Sequence, residues 1–185
     1  MKKKLDFSFF KKISKTDVIR AVLIALIIAE MVMIFMLSAQ TAGESGGVSG
    51  GLTEKMLSFI GISRDDMTEE AFMHIEAFIR KAAHFCEYAL LGFLAFLLLS
   101  TYTLRYRWGL LISSGFAMVY AISDEIHQAF VPGRGPQISD VLVDTCGGIF
   151  GTLAALTVIL GFAAAKRRMI KNKTRKKKKA VSKKR

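Results

Sequence analysis

The sequence predicts an all-α membrane protein, a four-helix transmembrane bundle with an external amphipathic helix. Three observations predict it. Residues of hydrophobic type make up 52% of the 185, and mean hydropathy is +0.37, high for a soluble domain. Four stretches approach the ~20 apolar residues that a spanning helix needs. The net charge of +12 is carried mostly outside those stretches. An apolar middle with basic ends suits a bilayer protein better than a nucleic-acid binder.

The four stretches are Val18 to Ser38, Ala82 to Tyr102, Trp108 to Val131 and Val141 to Ala165. The first is interrupted only by Arg20 and Glu30. Ser38-Ala39 resembles a signal-peptide cleavage region. However, the apolar run is about 20 residues, beyond the 7–15 of a signal h-region, so it reads as an uncleaved span.

Lys and Arg set the orientation. Residues 1 to 20 carry seven of the 27, Arg105 and Arg107 lie between spans two and three, and residues 166 to 185 carry thirteen. Segments 39–81 and 130–140 hold the other five. The positive-inside rule then puts both termini of this multi-pass protein in the cytoplasm. The organisation expected is a basic cytoplasmic segment 1–17, a membrane domain 18–165 whose external part is 39–81, and a disordered basic cytoplasmic tail 166–185. The tail "KNKTRKKKKAVSKKR" has no interleaved aromatic residue to stack on bases. It suits anionic lipid headgroups, and no nucleic-acid partner is expected.

The 39–81 segment opens with "SAQTAGESGGVSGG", whose Gly and Ser content reads as flexible loop. "TEKMLSFIG" suits a short helix lying on the membrane. "SRDDMTEEAFMHIEAFIRK" reads as a helix, with Ser63 and Asp66 as a capping box at its start. Phe72, Ile75, Phe78, Ile79 and Ala82 form an apolar stripe, so this amphipathic helix should feed directly into span two, with His74 exposed. Cys86 and Cys146 lie in apolar spans without zinc-site spacing, and read as buried small side chains with no disulfide.

Because spans alternate direction, one membrane depth collects charge from distant positions. Lys81, His84 and Tyr88 share a face of span two, Tyr120, Asp124 and Gln128 one of span three, and Asp140 and Asp144 one of span four. Glu87, Glu125 and Arg134 lie at the same level. Arg134 sits in "VPGRG", where Pro132 stops the helix and the glycines permit a tight turn. Gly147, Gly148 and Gly151 share the Asp140 face, and the GxxxG pair Gly147/Gly151 allows close approach of a neighbouring helix. The expected pocket is therefore Lys81, His84, Tyr88, Asp124, Glu125, Gln128, Arg134, Asp140 and Asp144.

Each residue also has a plainer reading. Lys81 can snorkel, His84 can bond between helices, Tyr88 can be an interface aromatic, and Arg134 can pair with Asp124 or Asp140. Packing alone is the favoured account of the glycines. Asp124-Glu125 is harder to dismiss. A carboxylate in a span costs about 2.5–3.5 kcal/mol on insertion scales and needs a partner or a purpose. Glu30 has no assignment beyond a partner on a neighbouring helix.

At these residues the sequence resembles the VanZ-like family of membrane proteins. The matching pieces are "SAQTAGES", "RKAAHFCEYALLG" and "SDEIHQAFVPGRGPQISDVLVDTCGGIFG", and the resemblance covers roughly residues 20 to 160. It implies four spanning helices and a link to teicoplanin and lipoglycopeptide resistance. It does not supply a mechanism. The family often has Asn at the position of Asp144, so this chain carries an added carboxylate.

Glu87, Asp124, Glu125, Asp140 and Asp144 outnumber Arg80, Lys81 and Arg134, so a phosphate would meet a net negative site. Protonation, ion pairing, or a divalent cation (Mg²⁺ or Ca²⁺) bridging to phosphate would resolve this. The leading reading is an outward-facing pocket for an envelope lipid or its headgroup, such as a polyprenyl-linked wall precursor. The second is a membrane-embedded hydrolase or transferase using His84, although no known catalytic motif is present. The third is proton or ion transport, which Glu30 keeps open.

Overall fold

The computed structural model describes residues 14–182, as five α-helices: α1 (Lys15–Ser38), α2 (Ala42–Phe59), α3 (Glu69–Ser100), α4 (Tyr106–Gln128) and α5 (Ile138–Ser182). No strand occurs among the described residues. Helices α1, α3, α4 and α5 are long and apolar enough to cross a membrane. Much of their outward surface is large and aliphatic, including Val22, Ile28, Val119 and Leu153. A soluble surface would not carry so continuous an apolar coat. The fold is an all-α membrane bundle.

Local signals set the ends. Ser14 caps α1 in a reciprocal box with Asp17. The Ser63–Asp66 box closes only a 3-10 turn, Arg64–Asp66. Met67 is extended, and α3 starts instead behind the cap of Thr68, whose side chain accepts from Ala71 N. From there α3 runs 32 residues, so the amphipathic segment and span two are one continuous helix. Its apolar stripe is narrower than expected: Phe72 is buried, while Phe78 and Ala82 are exposed.

The largest departure is α2. The glycine-rich stretch read as flexible loop is helical from Ala42. Glycine weakens a helix by up to ~1 kcal/mol per residue, so tertiary contact must offset it. Ser49 Oγ donates to Glu76 Oε1 on α3 at 2.5 Å, and Gly50 lies against the Phe72 ring. Thr53 and Leu57 continue the buried side. The small residues at this face let α2 sit close to α3.

Helix α3 packs chiefly on α5, and α1 covers α3 and α4. Tyr88, Leu91, Leu94, Ala117 and Ala121 form the core with Ile27 and Ile34. A Cβ on Gly147, Gly151 or Gly92 would collide with a backbone carbonyl, that of Phe85, Ala89 or Gly148 respectively. A Cβ on Gly148 would meet Ala117. The α3–α5 seam is therefore backbone on backbone, which only glycine permits. Cys86 and Cys146 are exposed, contrary to the expectation of burial. Cys146 precedes Gly147, which is turned into the seam, and Cys86 follows Phe85, whose carbonyl meets that glycine, so each thiol sits one position off the seam and faces outward.

At the opposite end from the carboxylates, Arg20 donates to Thr101 O and Oγ1 at 2.8 and 3.0 Å and stacks on Tyr102. It neutralises the exposed carbonyls at the α3 C-terminus. The basic tail is helical through Ser182, where disorder was expected. Lys and Arg are good helix formers, and no Gly or Pro follows Gly161 to stop the helix. Most of the N-terminal segment, residues 1–13, lies outside the described residues, as do residues 183–185.

Candidate functional site

The site lies where α4 ends, α5 begins and α3 passes between them. Val131 O accepts from Arg134 N at 3.1 Å across Pro132-Gly133, and Gly133 has φ +77°, as the second central residue of a type II turn requires. The turn projects Arg134 into a cavity of about 160 Å³. Its walls include Arg80, Lys81, His84, Gln128, Arg134, Gln137, Asp140 and Asp144. Six of the nine residues expected to form a pocket line it. Tyr88, Asp124 and Glu125 do not.

Those three lie behind the wall. Tyr88 is fully buried, its ring 6.1 Å from that of Tyr120 and its hydroxyl without a hydrogen-bond partner among the described residues. Glu125 is buried and accepts from Gln137 N, so it ties down the turn region rather than facing the cavity. Asp124 Oδ2 accepts from Ser38 Oγ at 2.7 Å and Gln128 Nε2 at 3.1 Å. Asp124 Oδ1 is buried with no hydrogen-bond partner among the described residues.

Around the cavity the charges are unequally matched. Lys81 Nζ pairs with Asp140 and donates to Ser139 Oγ at 3.2 Å. Arg80 Nη1 is 3.8 Å from Glu76 Oε1. His84 Nδ1 is 3.8 Å from Asp144 Oδ2, close but not hydrogen-bonded. Among the described residues no carboxylate lies within ion-pair distance of Arg134. Burial, then the neighbouring Arg80 charge, lowers the Arg134 pKa, with Asp124, Glu125 and Asp140 opposing. A guanidinium stays charged through any such change, so the cavity holds a fixed cation without a salt bridge.

His84, Asp124 and Asp144 each offer a ligand atom, and these lie within 4.8 Å of one another. One imidazole and two carboxylates are a donor set that a divalent metal accepts.

The sequence reading missed three participants. Ser38 brings α1 to the site, and its signal was a hydroxyl closing span one at the shared depth. Arg80 was counted among the charges but not placed in the pocket. Gln137 follows the turn without a motif. His127, by contrast, points away and stacks on Phe35 at 4.4 Å.

The sequence pattern of the VanZ/LLP1 family matches residues 23–161, three-quarters of the chain. The chain belongs to the VanZ/LLP1 family. The match begins within α1, ends within α5, and takes in α3, α4 and every cavity residue. No curated protein and no solved structure matches the chain. For this VanZ/LLP1 protein the arrangement itself must therefore carry the chemistry. The Arg134 guanidinium and the buried carboxylate of Asp144 line one cavity, with Asp124 and Glu125 behind its wall.

Proposed function

We propose that the cavity opens to the outer face of the bacterial cell membrane and holds the phosphate-bearing headgroup of an envelope lipid, with both termini cytoplasmic. Arg134 carries the reading. Among the described residues it lines the cavity with no carboxylate at ion-pair distance, whereas Lys81 is already engaged by Asp140. A guanidinium can grip phosphate with two parallel hydrogen bonds, and Arg80 on the same wall adds charge. A polyprenyl-linked wall precursor has this headgroup chemistry, and the VanZ family's association with teicoplanin resistance points to the wall. Anionic lipids at the other face are the natural contact for the basic tail.

The test uses full-length protein in nanodiscs containing a polyprenyl phosphate, with phosphatidylcholine discs as reference. Arg134→Lys keeps the charge and loses the fork. It should weaken lipid retention roughly tenfold or more, the scale of ~1.5–3 kcal/mol for a hydrogen bond to a charged group. Insertion and abundance should be unchanged. Equal retention by wild type and Arg134→Lys removes the reading. In cells, teicoplanin susceptibility of a null strain carrying each form gives the physiological readout.

One observation favours a membrane-embedded hydrolase or transferase as the second reading. His84 lines the same cavity beside Asp144, where a general acid or base would have to stand. Phosphate release from the lipid by wild type but not His84→Gln would decide for it.

A further inference from the structure

We infer that His84, Asp124 and Asp144 form a binding site for one first-row divalent metal ion, Zn²⁺ or Mn²⁺, at the inner wall of the cavity. This goes beyond the headgroup reading and does not depend on it.

The ligand geometry comes from three different helices. His84 is on α3, Asp124 on α4 and Asp144 on α5, and their ligand atoms fall within 4.8 Å of one another. Metal–ligand bonds of about 2.0–2.2 Å would draw each atom inward by under about 1 Å. The His84–Asp144 contact has the form expected of two ligands around a common centre. At 3.8 Å the atoms are too far apart for a hydrogen bond and close enough to share an ion.

A second observation points to an occupant independently. Asp124 is 4% exposed, and its Oδ1 has no hydrogen-bond partner among the described residues. Its other oxygen is held by Ser38 and Gln128. A ligating carboxylate has this arrangement, one oxygen fixed by outer hydrogen bonds and the other free for the ion. Asp144 is equally buried. Two carboxylates side by side in a spanning bundle need compensating charge wherever both are ionised. Lys81 is bound to Asp140, and Arg134 pairs with neither.

The imidazole selects the ion. Hard Mg²⁺ and Ca²⁺ favour oxygen-only shells, whereas Zn²⁺ and Mn²⁺ accept mixed nitrogen and carboxylate sets. The ion therefore differs from the Mg²⁺ or Ca²⁺ that the carboxylates alone left open. His84 and Asp144 line the cavity, so an open coordination position would face it.

Full-length protein without a polyhistidine tag, stripped with EDTA in detergent, is titrated separately with Zn²⁺, Mn²⁺, Mg²⁺ and Ca²⁺. Wild type should take up about one Zn²⁺ or Mn²⁺ per chain and gain thermal stability with it. Asp144→Asn and His84→Gln should each lose more affinity than the roughly 10–100-fold that follows loss of an outer partner. Helicity and metal-free melting temperature check that both variants are folded. His74→Ala, at an exposed histidine on α3, should bind like wild type. No stoichiometric uptake, uptake of only Mg²⁺ or Ca²⁺, or uptake unchanged in folded variants would each overturn the site. Polyprenyl phosphate retention by stripped protein that still falls with Arg134→Lys would leave the headgroup reading standing without the metal.

Discussion

Ser38 Oγ, on the last residue of α1, donates a 2.7 Å hydrogen bond to Asp124 Oδ2 near the end of α4. Both side chains are buried, and Gln128 bonds to both. Polar bonds between spans average about 0.6 kcal/mol and reach about 1.7, below the value for a charged bond in water, because the unfolded chain in lipid also finds partners. Ser38→Ala should therefore cost about 1 kcal/mol, read by reversible denaturation in mixed micelles. A double-mutant cycle with Asp124→Asn should show coupling; purely additive losses would mean that the bond contributes nothing.

The glycine seam predicts unequal effects of one substitution. Gly92→Ala drives a methyl into the Gly148 carbonyl, and backbone cannot swing aside. It should destabilise the bundle by about 1–3 kcal/mol, the range for overpacking. Gly161→Ala has open space around its new Cβ and should be neutral or stabilising by up to ~1 kcal/mol. Melting temperatures of the two variants in the same detergent compare them directly. Equal shifts would remove the close-approach account of α3 against α5.

Orientation is tested by labelling. In a Cys86→Ala, Cys146→Ala background, a cysteine at Gly47 has open surroundings on α2. It should react with a membrane-impermeant maleimide in intact cells. A cysteine at exposed Asn172 should react only after permeabilisation. The opposite pattern would turn the cavity toward the cytoplasm.

Glu30 separates a transport role from a structural remnant. It is 6% exposed in α1, and its Oε1 has no hydrogen-bond partner among the described residues. Glu87 is its electrostatic neighbour. A buried carboxylate without function is a net cost, so Glu30→Leu should raise stability by about 1–3 kcal/mol, near the insertion cost of a charged residue. Lipid retention should be unaffected. Loss of proton or ion flux in proteoliposomes containing Glu30→Leu, with wild type active, would favour the transport reading.

The spanning helices were legible because bilayer thickness imposes a length on apolar runs, and a run such as Val18 to Ser38 can satisfy it in few other ways. The gathering of Lys81, His84, Gln128, Arg134, Asp140 and Asp144 at one cavity was legible for the same reason: spans of fixed length and alternating direction convert sequence position into depth. What failed was local composition. Glycines at 46, 47, 50 and 51 signal loop by propensity, yet the close seat of α2 on Phe72 and Glu76 outweighs propensity. Rotation about a helix axis was also only half legible. Periodicity grouped Lys81, His84 and Tyr88 on a face, but small turns about that axis put Tyr88 inside the core and left Lys81 at the rim.

Helix α3 is 32 residues long, about 48 Å at 1.5 Å per residue, against a hydrocarbon layer of about 30 Å. Taking the Ser100 end of α3, held by Arg20 beside Tyr102, as one boundary puts His84 about 24 Å up the helix and about 6 Å short of the other. A lipid can reach such a depth by sliding sideways within its leaflet, without leaving it. Occupancy then follows the mole fraction of that lipid among its neighbours, and diluting the vesicles in buffer should leave it unchanged. On the headgroup reading, a rare lipid at the same total concentration would compete with every other anionic headgroup in the plane, and selectivity, more than raw affinity, is what the cavity would have to supply.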